Sequence, residues 1–173
     1  QAPATPAAPA SGLTKLVATT FSGVSSYSAP NNTFSATYNA YKIMVEITSA
    51  SASSNFQLRA RAGGTDYASG GYTVQRVTGI TSSASADITS GTEWALLSNN
   101  TNTRYFISFD WYKPYGTGQH LAVGQIFNNN SSAAFMYNGV GARIDTADPY
   151  DAFTVYPSSG TITGSVAVYG YSL

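Results

Sequence analysis

Apolar and polar residues alternate along most of this chain with a period of two. Between Gly160 and Tyr171, Ile162, Val166 and Val168 fall on one face. Thr161, Thr163, Ser165, Tyr169 and Tyr171 fall on the other. This is the pattern of a half-buried β-strand. A strand so close to a chain end stays ordered only by pairing inside a sheet. The same alternation recurs upstream. Tyr41, Ile43, Val45 and Ile47 share a face in the segment 41–48, and Phe56, Leu58, Ala60 and Ala62 share one against Gln57, Arg59 and Arg61. The strongest interior signal is 104–112. There Tyr105, Ile107, Phe109 and Trp111 oppose Arg104, Ser108 and Asp110.

Weaker strand patterns cover Leu13–Phe21, Tyr72–Val77, Leu121–Phe127, Ala133–Tyr137, Val140–Ile144 and Phe153–Tyr156. Gly63-Gly64 and Gly70-Gly71 read as turns and bends, and Ser22-Gly23 ends the first strand. The total is about nine or ten strands, spaced roughly 8–15 residues apart. One short window near Ala84–Leu97 is also compatible with a helix. The predicted fold is all-β, an antiparallel β-sandwich of jelly-roll-like form spanning 12–173. Residues 1–11 differ: Pro3, Pro6 and Pro9 recur every third position among alanines. That spacing favours an extended polyproline II linker or docking arm. The chain begins with Gln, which is read either as the residue left after removal of a signal peptide or, the main reading, as a start inside a longer polypeptide.

Composition narrows the function classes. Only 9% of residues are charged and the formal net charge is zero, against roughly 25% charged in an average domain. No electrostatic footprint for nucleic acid or anionic lipid exists, so neither nucleic acid nor membrane is an expected partner. Ser, Thr, Asn and Gly carry the solubility. Cysteine is absent, so disulfides, thiolate metal sites and cysteine nucleophiles are excluded. No cofactor is expected.

Candidate chemistry is sparse. His120 is the single histidine, beside a turn and without a nucleophile-elbow pattern near any serine. It reads as a structural residue at a strand start. Two of the acids could form a glycosidase-type pair, and Asp110 reads as solvated or paired with a basic residue on the next strand. Asp145, Asp148 and Asp151 cluster in one loop. Calcium takes oxygens from such loops, but Asp and Pro are also ordinary turn formers, and the plain turn is the main reading. The Gly-Gly pairs neither open a helix nor carry a P-loop lysine. The sequons at Asn31, Asn99, Asn129 and Asn130 are expected by chance in such a chain. Tyrosine is abundant, with 13 residues. It presents a flat apolar ring with a polar tip, suited to interfaces and sugar rings. Tyr112, Lys113, Tyr115, His120 and Tyr67 are therefore the candidate binding residues.

Three segments resemble the β-sandwich domains of bacteriophage virion surfaces. They are Tyr41-Lys42-Ile43; Leu58-Arg59 followed by Gly63-Gly64, Tyr67 and Gly70-Gly71-Tyr72; and Phe153 to Tyr171, with its closing Ser-Gly-x-Ile-x-Gly-x-Val-x-Val-Tyr-Gly. The stretch 80–130 matches little. The resemblance implies a non-enzymatic structural protein at the virion surface, as a fibre or as a capsid or tail decoration. It implies other virion proteins as partners, a homo-oligomer with a trimer as the expected form, and contact with host glycans. The alternative is a carbohydrate-binding module of a secreted bacterial enzyme. A depolymerase using an acid pair is a third reading.

Overall fold

The computed structural model describes residues 12–80, 83–100, 104–129 and 135–172. Residues 1–11, the expected linker, lie outside them. The described residues form strands β1 (Gly12–Val24), β2 (Tyr27–Ser28), β3 (Ala40–Ala50), β4 (Ser54–Ala62), β5 (Thr65–Asp66) and β6 (Tyr72–Ile80). There follow β7 (Ser83–Gly91), β8 (Trp94–Asn100), β9 (Tyr105–Tyr112), β10 (His120–Asn129), β11 (Phe135–Ile144), β12 (Ala152–Pro157) and β13 (Ile162–Ser172). A broad sheet has the order β1-β13-β3-β9-β10-β11-β6-β7. A smaller one has the order β2-β12-β4-β5, with β8 also paired to β4. Every pairing is antiparallel.

The all-β antiparallel sandwich is therefore the fold. Among the described strands the chain changes sheet eight times, for example between β1 and β2, β3 and β4, β11 and β12, and β12 and β13. Two of these crossings are stitched together. Ser51 N donates to Thr161 O at 2.9 Å, and Ser158 N donates to Asn55 O at 2.9 Å. Gly160 takes a φ of 77° there, a conformation that glycine adopts without strain.

The predicted alternations build the core. Tyr41, Ile43, Val45 and Ile47 of β3 are buried, as are Tyr105, Ile107, Phe109 and Trp111 of β9, and Ile162, Val166 and Val168 of β13. They meet Phe56, Leu58, Phe153, Val155 and Trp94 from the smaller sheet. Phe34, in the loop before β3, completes an aromatic cluster. Its ring lies 4.6 Å from Tyr41, 5.2 Å from Trp111 and 5.8 Å from Phe153.

Several expectations need correction. The window 84–97 holds no helix: it is shared between β7, the outer partner of β6, and β8, which pairs β4. The turn at Thr92-Glu93 separates them. Residues 135–144 form one strand rather than two, and 133–134 lie outside the described residues. Asn138-Gly139 has the composition of a turn, yet Asn138 is buried. It accepts a hydrogen bond from Thr78 Oγ1 at 2.7 Å and donates to Asn128 Oδ1 at 3.4 Å. A polar side chain satisfied in this way is tolerated inside. Ala62 is exposed, because β4 has left the core as the Gly63-Gly64 turn begins. On β6 the inward residues are Tyr72, Val74 and Arg76, with Val77 outside. Arg76 Nη1 donates to Ala95 O at 3.1 Å.

The outer side of the smaller sheet is closed by ion pairs. Arg59 meets Glu93 at 3.0 Å and Arg61 meets Asp66 at 3.5 Å. Burial alone would raise the Glu93 carboxyl pKa. Hydrogen bonds from Thr92 and Arg59, together with the guanidinium charge, outweigh it and hold the group below the usual carboxylate range. A carboxyl with a depressed folded pKa stabilises the fold above its unfolded pKa of about 4.3, and that contribution disappears as pH falls through the folded value. Acid titration of stability should therefore show a loss of about 1 kcal/mol or less from this half-solvated pair below about pH 4. Glu93→Gln should lower stability at neutral pH and flatten that acid limb. An unchanged limb in the variant would show that the pair contributes nothing.

Candidate functional site

The five candidate binding residues gather near one end of the sandwich, but they do different things. His120 opens β10 and is 1% exposed. Its Nδ1 lies 2.8 Å from Lys113 O and its Nε2 lies 2.9 Å from Asp148 O. Carbonyl oxygens only accept, so a ring nitrogen that carries a proton donates to the loop carbonyl it faces. Tyr150 packs edge-on to the imidazole at 4.9 Å, and Tyr67 lies 5.5 Å beyond Tyr150. The histidine is thus a clamp between the 113 and 148 loops, in keeping with the structural reading. His120→Ala removes both contacts and leaves a cavity, with an expected loss of about 2–4 kcal/mol in urea unfolding. A midpoint within experimental scatter of the parent would show that the clamp is idle.

Tyr67 is half-buried in the same aromatic stack. Tyr112, Lys113 and Tyr115 are exposed. Lys113 has a φ of 49°, and its backbone N donates to Asn39 O at 2.7 Å. The three loop aspartates do not converge. Asp145 accepts from Gln119 Nε2 at 3.0 Å, Asp151 accepts from Gly63 N at 3.3 Å, and Asp148 serves His120 through its carbonyl. No cluster of three potential metal ligands forms among the described residues, so the calcium candidate Asp145, Asp148 and Asp151 is set aside. The Asp145 and Asp151 carboxylates each hold a loop instead.

A different surface has the shape of a binding site. Five adjacent strands of the broad sheet, β3-β9-β10-β11-β6, present their outward residues in rows across the sheet. One row runs Lys42, Asp110, Val123, Gly141, Gln75. The next runs Met44, Ser108, Gln125, Gly139, Val77. A third runs Glu46, Phe106, Phe127, Tyr137, Gly79. Gly139 and Gly141 stand where side chains would otherwise rise. A Cβ placed on Gly141 would meet nothing within 4 Å, and one on Gly139 would meet only the edge of Tyr137. The missing side chains leave an open trough of about 570 Å³, within the roughly 300–1,000 Å³ of ordinary ligand sites.

The walls of the trough are apolar and amide-bearing. Val77 and Val123 are 52% and 53% exposed, and Tyr137 is 37% exposed. Gln75 and Gln125 stand on opposite sides of the glycine floor. The Tyr137 ring lies 5.5 Å from Phe127 at a tilted angle, and Phe127 lies 6.1 Å from Phe135. At the far end Lys42 Nζ approaches Asp110 at 3.4 Å. Asp110 therefore pairs with a lysine on the neighbouring strand, one of the two arrangements expected for it. It also accepts from the Tyr171 hydroxyl. Burial and the neighbouring carboxylate push the Tyr171 phenol up to about 12, so it remains a donor. The charges lining the trough cancel. Period-two alternation places Ser108 and Asp110 opposite a core face, but it gives no face to Val77, Val123 or Tyr137 and does not show which rows the residues join. That is why the sequence pointed to the loop tyrosines and missed the sheet face.

No protein-family model matches the chain, and no curated protein matches it. The likeness to virion domains rests on the quoted segments alone.

Proposed function

We propose that the chain is the folded head of a bacteriophage virion-surface protein, a fibre or decoration without catalytic function that assembles with copies of itself and meets the host surface. One observation carries this reading. The segments that resemble virion domains are neighbours in space: β3 lies beside β13 and β4 beside β12. They supply β3 and β13 of the broad sheet and β4 and β12 of the smaller one, while the unmatched stretch 80–130 supplies β7 to β10. Paired segments that keep a common pattern beside strands that differ are what a shared scaffold with changing surfaces produces. Self-association has its own support in β1, a 13-residue edge strand. Edge strands present unpaired backbone groups to a neighbour.

Mass spectrometry of gradient-purified particles is the test. The chain should be present in stoichiometric amount, and its absence from the particles overturns the reading. Trough chemistry also fits a carbohydrate-binding module, and co-purification with a glycoside hydrolase would decide for that alternative.

A further inference from the structure

We propose that the trough on the outer face of the broad sheet binds a neutral oligosaccharide. The inference deepens the attachment reading and rests on it only for where the glycan comes from.

A pyranose ring has an apolar C–H face and a rim of hydroxyls that both donate and accept. The trough offers the complement. Tyr137 gives a flat ring with a polar tip, standing over a floor kept low by Gly139 and Gly141. Val77 and Val123 give apolar contact on either side. The rim carries groups that hydrogen-bond in both directions: the Gln75 and Gln125 amides and the Ser108 hydroxyl. Lys42 and Asp110 extend the set with one donor and one acceptor, neutralised against each other at 3.4 Å.

Charge decides between ligand classes. An anionic polymer would call for uncompensated Lys or Arg, and the only cation lining this trough among the described residues is already paired. A cationic ligand meets the same obstacle at Asp110. The frame is rigid, because the floor and walls stand on the paired backbones of consecutive strands. Little ordering is then required on binding.

The test is affinity electrophoresis of the full chain in gels containing dextran, mannan, galactomannan or mixed-linkage β-glucan, with polygalacturonate and heparin as anionic comparisons. At least one neutral polysaccharide should retard the protein. Gly141→Val fills the floor at a strand position with open space above it, and Tyr137→Ala removes the ring. Each should weaken retardation by about tenfold or more, while Thr19→Ala, on the distant strand β1, should not. Thermal melts of each variant separate lost binding from lost fold. Absence of retardation by all four neutral polymers overturns the proposal, as does retardation by the anionic polymers alone. Retardation indifferent to both trough variants also overturns it. So does a trough variant that abolishes self-association while no sugar binds, since the face would then belong to a second copy. None of these outcomes depends on whether the chain is found in particles, so the two readings fail separately.

Discussion

Gly124→Ala is expected to lower the thermal midpoint by about 6–12 °C, while the same change at Gly141 leaves it nearly unmoved. Both glycines lie within strands at the middle of the broad sheet, but they face opposite ways. Gly124 of β10 sits across from Phe109 of β9, on the core side. A Cβ there would lie 2.3 Å from Phe109 Cβ, 2.4 Å from Ser108 O and 2.6 Å from Phe109 Cα. None of these atoms is the end of a flexible side chain, so no rotamer change relieves the clash. Two central strands must part or bend. Overpacking of that kind costs about 3 kcal/mol or more, and each kcal/mol moves the midpoint by about 2–4 °C at this chain length. At Gly141 an added methyl group meets open space. It also reduces the freedom of the unfolded chain, so the change stays within about 1 kcal/mol. Calorimetry on the pair tests the register of β9, β10 and β11 together. Equal shifts in the two variants would contradict it.

Trp94→Ala is expected to cost about 3–5 kcal/mol in urea unfolding, as for other fully buried large aromatics. Trp94 comes from β8 in the smaller sheet and is fully buried. Its ring lies 4.6 Å from Trp111, 6.1 Å from Tyr72 and 6.5 Å from Phe109, all residues of the broad sheet. Its Nε1 donates to Arg143 O at 2.8 Å, so the side chain joins the sheets by a hydrogen bond as well as by area. Truncation leaves a cavity and removes that hydrogen bond. Trp94→Phe keeps much of the area and should recover more than half of the loss. The close Trp94–Trp111 pair should also give the near-ultraviolet circular dichroism a coupled signature, and either change should remove it. An unchanged unfolding midpoint in Trp94→Ala would contradict the placement of β8 against the core.

The strands were legible wherever one face is buried and the other wet, because burial writes period two into the sequence. The segments at Tyr41, Phe56, Tyr105 and Ile162 all show it. Legibility failed where a polar residue is buried or an apolar one exposed. Asn138-Gly139 carries turn composition, yet the asparagine finds its partners inside the sheet at Thr78 and Asn128. Leu121 and Val123 carry core composition and stand outside. The Ser/Ala-rich run after β6 has too few large residues to show any period. His120 was legible as structural, but its two carbonyl partners come from the 113 and 148 loops, which only the fold brings together. The trough was least legible of all. Its rows join residues from 42 to 141 across five strands, and no local pattern encodes that neighbourhood.

Amide chemical-shift mapping of the isotopically labelled chain, titrated with the soluble neutral oligosaccharide whose parent polymer gives the strongest retardation, tests the central claim most directly. The outer face of the broad sheet is the working surface. Saturable shifts should centre on Gly139, Gly141, Gln125 and Gln75, with side-chain amide signals of the two glutamines moving along with them. Shifts centred instead on Lys113, Tyr115 and His120 would return the function to the loop end of the sandwich and contradict the account.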